Sequence, residues 1–389
     1  MIKLIKSAFL EEEKTKKELA NFILKTEQLS FGPQCEKFEE TFAEWQGRKE
    51  CVFVNSGSSA NLAIVQALLN LGKLKKGDMV GFSALTWSTN VMPLIELGLI
   101  PVPIDIELDT LNISSKKLIE RISEFPLKGL FLTNLLGFCD DIDVIKDFCA
   151  EKGIIFFEDN CESLGTIYRG NKLGNFGIAS TFSFFVGHHL STIEGGAVCT
   201  DDAALAQMLR LVRAHGWDRN LKSEDQVRLR KEGAVDSFYG KYTFYHLGYN
   251  LRPTEIAGFL GNSQLPYMDI IISRRQEIFN KVARVAYQSG KYYAIRSDHL
   301  DTISNFAVPF ICRNEEMRRE LVKKVSNQVE VRPIVGGDIT EQPFWRYTPD
   351  SVRAIKSPNA ELVHQNGFYA PNNPELTEGE IKTITNVFS

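Results

Sequence analysis

The chain reads as an α/β protein: a mostly parallel mixed sheet with helices on both faces, followed by a smaller α+β C-terminal domain. Three observations carry that reading. From Asn55 onward, apolar runs of strand length alternate with helical patterns for about 150 residues, which is the texture of a parallel sheet. After about Pro253 the alternation gives way to one long helical stretch and a few short strands. The length, 389 residues with 43% hydrophobic and 24% charged content, suits two globular units. The expected boundary lies near residue 255, giving a large domain at 1–255 and a small one at 256–389.

In chain order, residues 11–28 place Leu19, Phe22 and Ile23 at helical spacing, and Phe38, Phe42 and Trp45 mark a second helix. Ser56–Asn61 reads as a loop running into a helix over Leu62–Leu71. Strands are expected at Met79–Phe82, Pro101–Ile106, Gly129–Leu132, Ile154–Phe157, Thr181–Phe185 and Ala197–Thr200, with helices at Ile142–Lys152 and Ala203–His215. Asp218–Lys241 is dense in charge and poor in large apolar residues, so it is expected to be an exposed loop; loops of that length are often functional. Pro253 to about Ser289 is helical. Phe306–Cys312, Leu321–Ser326 and Val329–Val335 supply the rest of the second unit.

Composition excludes several function classes. The 45 Lys+Arg against 49 Asp+Glu give a formal charge of −4, so no basic field points to nucleic acid or an anionic membrane. No run approaches the roughly 18 apolar residues of a membrane span. The N-terminus, Met1–Lys6, has no signal-peptide pattern, and a cytoplasmic protein is expected. The seven cysteines (Cys35, Cys51, Cys139, Cys149, Cys161, Cys199, Cys312) form no C-x-x-C pair. That spacing suits a reducing compartment and argues against a zinc ribbon or a disulfide framework.

Three segments carry chemistry. In Asn55-Ser-Gly-Ser-Ser-Ala-Asn61, small residues before a helix let backbone N–H groups approach an oxyanion; a polar helix cap is the plainer reading. Phe156-Phe-Glu-Asp-Asn-Cys-Glu162 ends a buried strand at the edge where open α/β sheets bind ligands. A buried Asp159 there suits a protonated ring nitrogen, or else a structural ion pair. In Phe185-Val-Gly-His188-His189 the strand ends in adjacent histidines, and Gly195-Gly196 turns the chain into the next strand.

Together with Thr86-Trp-Ser-Thr89, Gly248-Tyr-Asn-Leu-Arg252 and Arg332-Pro333, these segments resemble the DegT/DnrJ-type sugar aminotransferase family of vitamin B6 enzymes. The resemblance implies the aspartate-aminotransferase fold (fold type I) and a pyridoxal 5′-phosphate or pyridoxamine 5′-phosphate cofactor. It also implies that the amides of Gly57 and Ser58 and the hydroxyl of Ser183 hold the phosphate. Trp87 would stack on the ring, Asp159 would pair with the ring N–H, and Glu162 would lie on the ring-hydroxyl side. Asn250 would reach the phosphate of the other subunit, making a homodimer with a shared active site.

The chain departs from the family pattern at position 188. Family aminotransferases carry a cofactor-binding lysine here; this chain has His188, and no lysine lies between Lys172 and Lys222. An imidazole cannot form a Schiff base with an aldehyde, but it remains a proton shuttle. The substitution is similar to that in a known branch of the family, the 3-dehydratases of nucleotide-linked 4-keto-6-deoxy sugars. That branch implies His188 as catalytic base, a nucleotide-sugar substrate, most closely GDP-4-keto-6-deoxy-D-mannose on the way to colitose and other 3,6-dideoxy sugars, and L-glutamate as amino donor. Arg332, with a bidentate guanidinium, is a candidate clamp for the diphosphate, and His215 and Arg219 of the charged loop are candidate sugar or phosphate contacts; solvated surface residues are the plainer reading of Arg332 and Arg219. A second His-bearing type uses an iron–sulfur cluster. Of its ligand positions only Cys161 is a cysteine, the others being Arg219, Leu221 and Leu229, so no cluster and no metal are expected. The rival readings are an aminotransferase that uses histidine and a catalytically inactive protein that keeps the fold.

Overall fold

The computed structural model describes residues 1–389. Thirteen strands form three sheets. The large one contains β1 (Glu50–Val54), β2 (Met79–Ser83), β3 (Ile100–Ile104), β4 (Leu127–Thr133) and β5 (Ile155–Asp159). A small hairpin, β6 (Ile167–Tyr168) and β7 (Asn171–Lys172), stands apart, and β8 (Ala179–Ser183) and β9 (Gly196–Thr200) complete the large sheet. Its order is β1-β9-β8-β5-β4-β2-β3. β9 runs antiparallel to both β1 and β8, and the other neighbours are parallel. The strands are buried along almost their whole length, as a sheet covered on both faces requires.

The helices follow the sequence with instructive exceptions. α1 (Glu12–Lys25) and α2 (Pro33–Gln46) lie where expected. α3 spans Gly57–Asn70, so the segment read as a loop up to Asn61 is already its first turn. Ser56 caps it, its hydroxyl accepting from the Ser59 N–H at 3.0 Å. β1 lies just before Asn55, where the alternation is read to begin, and is not among the expected strands. Then come α4 (Met92–Glu96), α5 (Ser115–Glu124), α6 (Ile142–Lys152) and α7 (Ala203–Arg213). Within the expected loop 218–241 sits α8 (Ser223–Glu232), which buries no residue. With no apolar stripe it had no helical period to read.

The helical stretch after Pro253 is two helices, α9 (Glu255–Gln264) and α10 (Met268–Ala286), separated at Pro266 by a tight turn. α9 packs on α2 beside the large sheet. α10 passes from that core into a second one, built on the antiparallel sheet β10 (Tyr292–Tyr293), β11 (Val308–Cys312), β12 (Arg332–Pro333) and β13 (Gly367–Ala370), in the order β10-β11-β13-β12. The N-terminus joins this second unit: Ile2 bridges to Val329, and the Leu4 N–H donates to Glu330 at 3.0 Å.

Candidate active site

Because β1, β2, β4, β5 and β8 are mutually parallel, their carboxyl ends share one edge of the sheet, and the start of antiparallel β9 arrives there too. A cavity of about 430 Å³ lies against that edge. Each strand delivers a residue to it: Gly57 and Ser58 after β1, Trp87 and Asn90 after β2, Thr133 from β4, Asp159 from β5, Ser183 from β8 and Glu194 before β9. The second unit closes the other side with Phe306, Arg332 and Tyr369.

The first turn of α3 is an anion cradle. Its leading N–H groups have no partner within the helix, the helix dipole points outward, and Ser183 lies opposite. A Cβ on Gly57 would come within 2.6 Å of the Ser183 Cβ, and one on Gly196 within 2.3 Å of the Ser56 carbonyl oxygen. Only glycine lets the helix start this close to β8 and β9. The cradle suits a phosphate.

Adjacent carboxylates at the end of β5 have opposite fates, because successive side chains in a strand face opposite sides. Glu158 points away from the cavity and accepts from the N–H groups of Gly174, Phe176 and Gly177 and from Asn134, which pins the following turn. Asp159 faces the cavity. Oδ2 accepts from Asn61 at 3.0 Å and from Asn90 at 2.7 Å, and Oδ1 accepts from the Cys161 N–H at 2.8 Å. Asn90 is itself held by Thr86, which bonds Thr133. The structural ion pair that sequence allowed for Asp159 is not formed: three neutral donors hold a buried carboxylate, with no cation on it. A protonated ring nitrogen in the cavity would supply a charge partner, so the residues present fit a pyridinium-phosphate cofactor at both ends.

Glu162 also lines the cavity, accepting from the Leu136 N–H at 2.9 Å. Burial, against that one hydrogen bond and aided by Asp159, pushes its carboxyl up to about 8. Glu162 is thus mostly protonated at neutral pH and can donate as well as accept a hydrogen bond.

The paired histidines diverge as well. The His188 Nδ1 lies 2.5 Å from the Cys161 carbonyl oxygen, which can only accept. That fixes the proton on Nδ1 and leaves Nε2 as the lone-pair nitrogen, with no protein partner, on a ring that lines the cavity between Phe185 and Phe306. Burial holds its pKa below the ordinary histidine value. His189 turns the other way, is buried, and bonds the Ser304 carbonyl through Nε2 at 3.0 Å.

Not every candidate converges on this cavity. Arg332 reaches it, paired with Glu330 at 2.9 Å. His215, Arg219 and Asn250 do not line it in their own chain. His215 packs edge-on to Trp217, and the Arg219 guanidinium lies over Trp217 and Tyr242 and donates to the Lys241 carbonyl. Asn250 accepts from Arg252 at 3.0 Å. Sequence reasoning assigned no role to Asn61, Asn90, Tyr369 or Arg275, all of which line the cavity. Asn61 and Asn90 stand in or beside segments already singled out. Tyr369 and Arg275 lie in stretches with no chemical signature. No group of three or more His, Cys, Asp or Glu side chains is arranged to hold a metal ion.

The profile of the DegT/DnrJ/EryC1/StrS aminotransferase family matches residues 10–389. GDP-4-keto-6-deoxy-D-mannose 3-dehydratase of Yersinia pseudotuberculosis is 35% identical over 373 residues, covering 94% of this chain and 93% of that protein. Among solved structures, that of the E. coli GDP-4-keto-6-deoxy-D-mannose-3-dehydratase with bound hydrated PLP superposes with a TM-score of 0.88 at 31% identity, covering 100% of this chain and 99% of that one. Another, of GDP-4-keto-6-deoxymannose-3-dehydratase with a trapped PLP-glutamate geminal diamine, gives 0.88 at 30% identity, with both chains covered fully.

Proposed function

The chain belongs to the DegT/DnrJ/EryC1/StrS aminotransferase family, and from that premise we propose that it is a pyridoxal/pyridoxamine-phosphate-dependent 3-dehydratase. Its substrate is GDP-4-keto-6-deoxy-D-mannose, its amino donor is L-glutamate, and its product feeds 3,6-dideoxy sugar synthesis. The observation that carries this reading is position 188: a histidine with Nδ1 tied down and Nε2 open, where family aminotransferases bind their cofactor through lysine.

Bound in its amine form, the cofactor supplies the amine that captures the C4 ketone and the cationic ring that drains electrons from it. The residues divide the remaining work. The Gly57 and Ser58 amides and the Ser183 hydroxyl hold the phosphate, Trp87 covers one ring face, and Asp159 keeps the ring nitrogen protonated. Glu162, neutral near pH 7, donates a hydrogen bond on the ring-hydroxyl side. His188 removes a proton at C4′ through Nε2 and, once protonated, delivers one to the departing C3 hydroxyl, so that water leaves. The dehydrated sugar would carry off the cofactor's nitrogen, which is lost as ammonia when water restores the C4 ketone. Glutamate, becoming 2-oxoglutarate, would replace it, and His188 would serve both halves because each moves a proton at C4′. Arg332 binds the substrate diphosphate.

The active unit is a homodimer. His215, Arg219 and Asn250 stand away from their own cavity, on a surface that exposes Phe238, Tyr242 and Leu247. In the dimer they complete the partner's site. No helix is long and apolar enough to cross a membrane, and the seven free cysteines suit the cytoplasm.

The deciding experiment supplies pyridoxal phosphate, glutamate and GDP-4-keto-6-deoxy-D-mannose. Loss of oxygen from the sugar, with release of ammonia and 2-oxoglutarate, is the expected result. An amino sugar would make the protein an aminotransferase, and no turnover with GDP-, CDP- or dTDP-linked substrates would make it an inactive relative.

A further inference from the structure

α10 carries a cation across the junction of two cores. Met268 and Ile271 pack beside the large sheet, while Ile278, Phe279 and Val282 pack in the second unit. Arg275 sits at the changeover, 3% exposed. Its hydrogen-bond partners are all backbone carbonyls. Nη1 donates to those of Asn305 at 3.2 Å, Phe306 at 2.9 Å and Asn372 at 2.6 Å, and Nη2 to that of His188 at 3.2 Å. Nε is buried with no partner. Burial pulls the guanidinium down to about 9, which still leaves it charged at neutral pH. A buried cation with no anion is costly, and one that only tied loops together could be replaced by a neutral donor.

What those carbonyls belong to is informative. Phe306 and Asn372 wall the cavity, and the ring of Phe306 lies 5.0 Å from that of His188. His188 has two other anchors: its N–H donates to the Phe185 carbonyl at 2.9 Å, and its ring to that of Cys161. Arg275 holds the His188 backbone itself to the second unit, beside the His189–Ser304 bond and the Phe306 ring contact. The groups facing His188 are few. From the end of β5 come the Asp159 carboxylate and the neutral Glu162. From its own loop come Phe185 and His189, from segment 304–306 Phe306, and from α10 Arg275. Asp159 favours imidazolium, whereas burial and the guanidinium oppose it and prevail.

Resting on the reading of His188 as the base, we propose that Arg275 is its positioning residue: one guanidinium ties the His188 backbone to the Asn305, Phe306 and Asn372 carbonyls of the second unit and sets a fixed positive charge behind the His188 loop. A proton taken by a ring near that charge is also readily passed on, as a base that must return its proton to a leaving hydroxyl requires.

The test follows the histidine ring signals of the full-length protein by NMR across pH, with His188 identified by the signal lost in His188→Asn. In Arg275→Met the His188 titration moves up, so that the imidazolium fraction at a given pH rises, and the acid limb of the glutamate half-reaction moves with it. Arg275→Lys keeps the charge without the four-way grip, so the titration stays put while kcat falls with little change in KM for glutamate. An unmoved His188 titration in folded Arg275→Met overturns the electrostatic role, and wild-type kcat in Arg275→Lys overturns the positioning role. If the methionine variant does not fold, Arg275→Gln, which keeps two donors and loses the charge, takes its place with the same expected shift. The NMR readout needs no turnover; if His188→Asn itself retains amino transfer, the assignment of the base fails separately.

Discussion

The carboxyl edge of the large sheet and the stretch from Trp217 to Arg252 are both rich in aromatic and polar side chains, and they use them oppositely. At the edge, polar groups are buried and interlocked: Asp159 takes three donors, Asn90 is held by Thr86, and Glu158 takes four. On the outer stretch, Phe238 is 80% exposed, Tyr242 71% and Leu247 73%, with Arg219 stacked on Trp217 and Tyr242. Exposed large apolar side chains close together in sequence are what the proposed dimer contact would cover. The contrast teaches that one chain by itself assembles the buried edge, whereas the outer stretch leaves its apolar and cationic side chains to solvent, as the proposed dimer would require.

That comparison can be broken from either side. The largest effect belongs to the edge: His188→Asn should lower dehydration roughly a thousandfold, within the usual span for a general base, while cofactor retention on gel filtration stays as in the wild type. Full activity would remove His188 from the chemistry. Asp159→Asn is next. It trades a charged partner for a neutral one and should weaken cofactor binding by about 2 kcal/mol, read as a rise in Kd by fluorescence titration. On the outer stretch, Phe238→Asp combined with Tyr242→Asp should yield monomers by sedimentation whose specific activity is well below that of the wild type. A fully active monomer would mean that each chain's site is complete.

The smallest effect separates the adjacent histidines. His189 is held well below the ordinary histidine range by burial and by Arg275. The unfolded chain takes up that proton near pH ~6.5, so stability is intact above that pH and declines as pH falls below it. His189→Gln should cost about 1 kcal/mol at pH 8 and flatten the decline of Tm between pH 6.5 and 5, with kcat little changed. An unaltered slope would show that other groups set the acid limit.

How much was readable in advance follows from the range of the interactions. The loop before α3, the end of β5 and the two histidines were legible because each is a local cluster with its own chemistry. Which histidine faces the cavity was not, since that depends on the Cys161 carbonyl, 27 residues away, and on Ser304, 115 residues away. Asn61 and Asn90 lay in plain view, but only the pairing of β5 beside β4 and β8 brings Asp159 between them. α8 escaped notice for a different reason: a helix that buries nothing prints no period.

The sequence by itself determined the alternation of strands and helices, the glycines at 57 and 196, and the replacement of a lysine by His188. These are properties of residue type and near-neighbour spacing, and backbone sterics and bond chemistry read them directly. The tertiary structure decided which carboxylate faces the cavity, which histidine leaves a ring nitrogen open to it, and that Arg275 holds that histidine's carbonyl. Protonation and orientation depend on burial and on partners distant in the chain, and those exist only once the two cores have closed around α10.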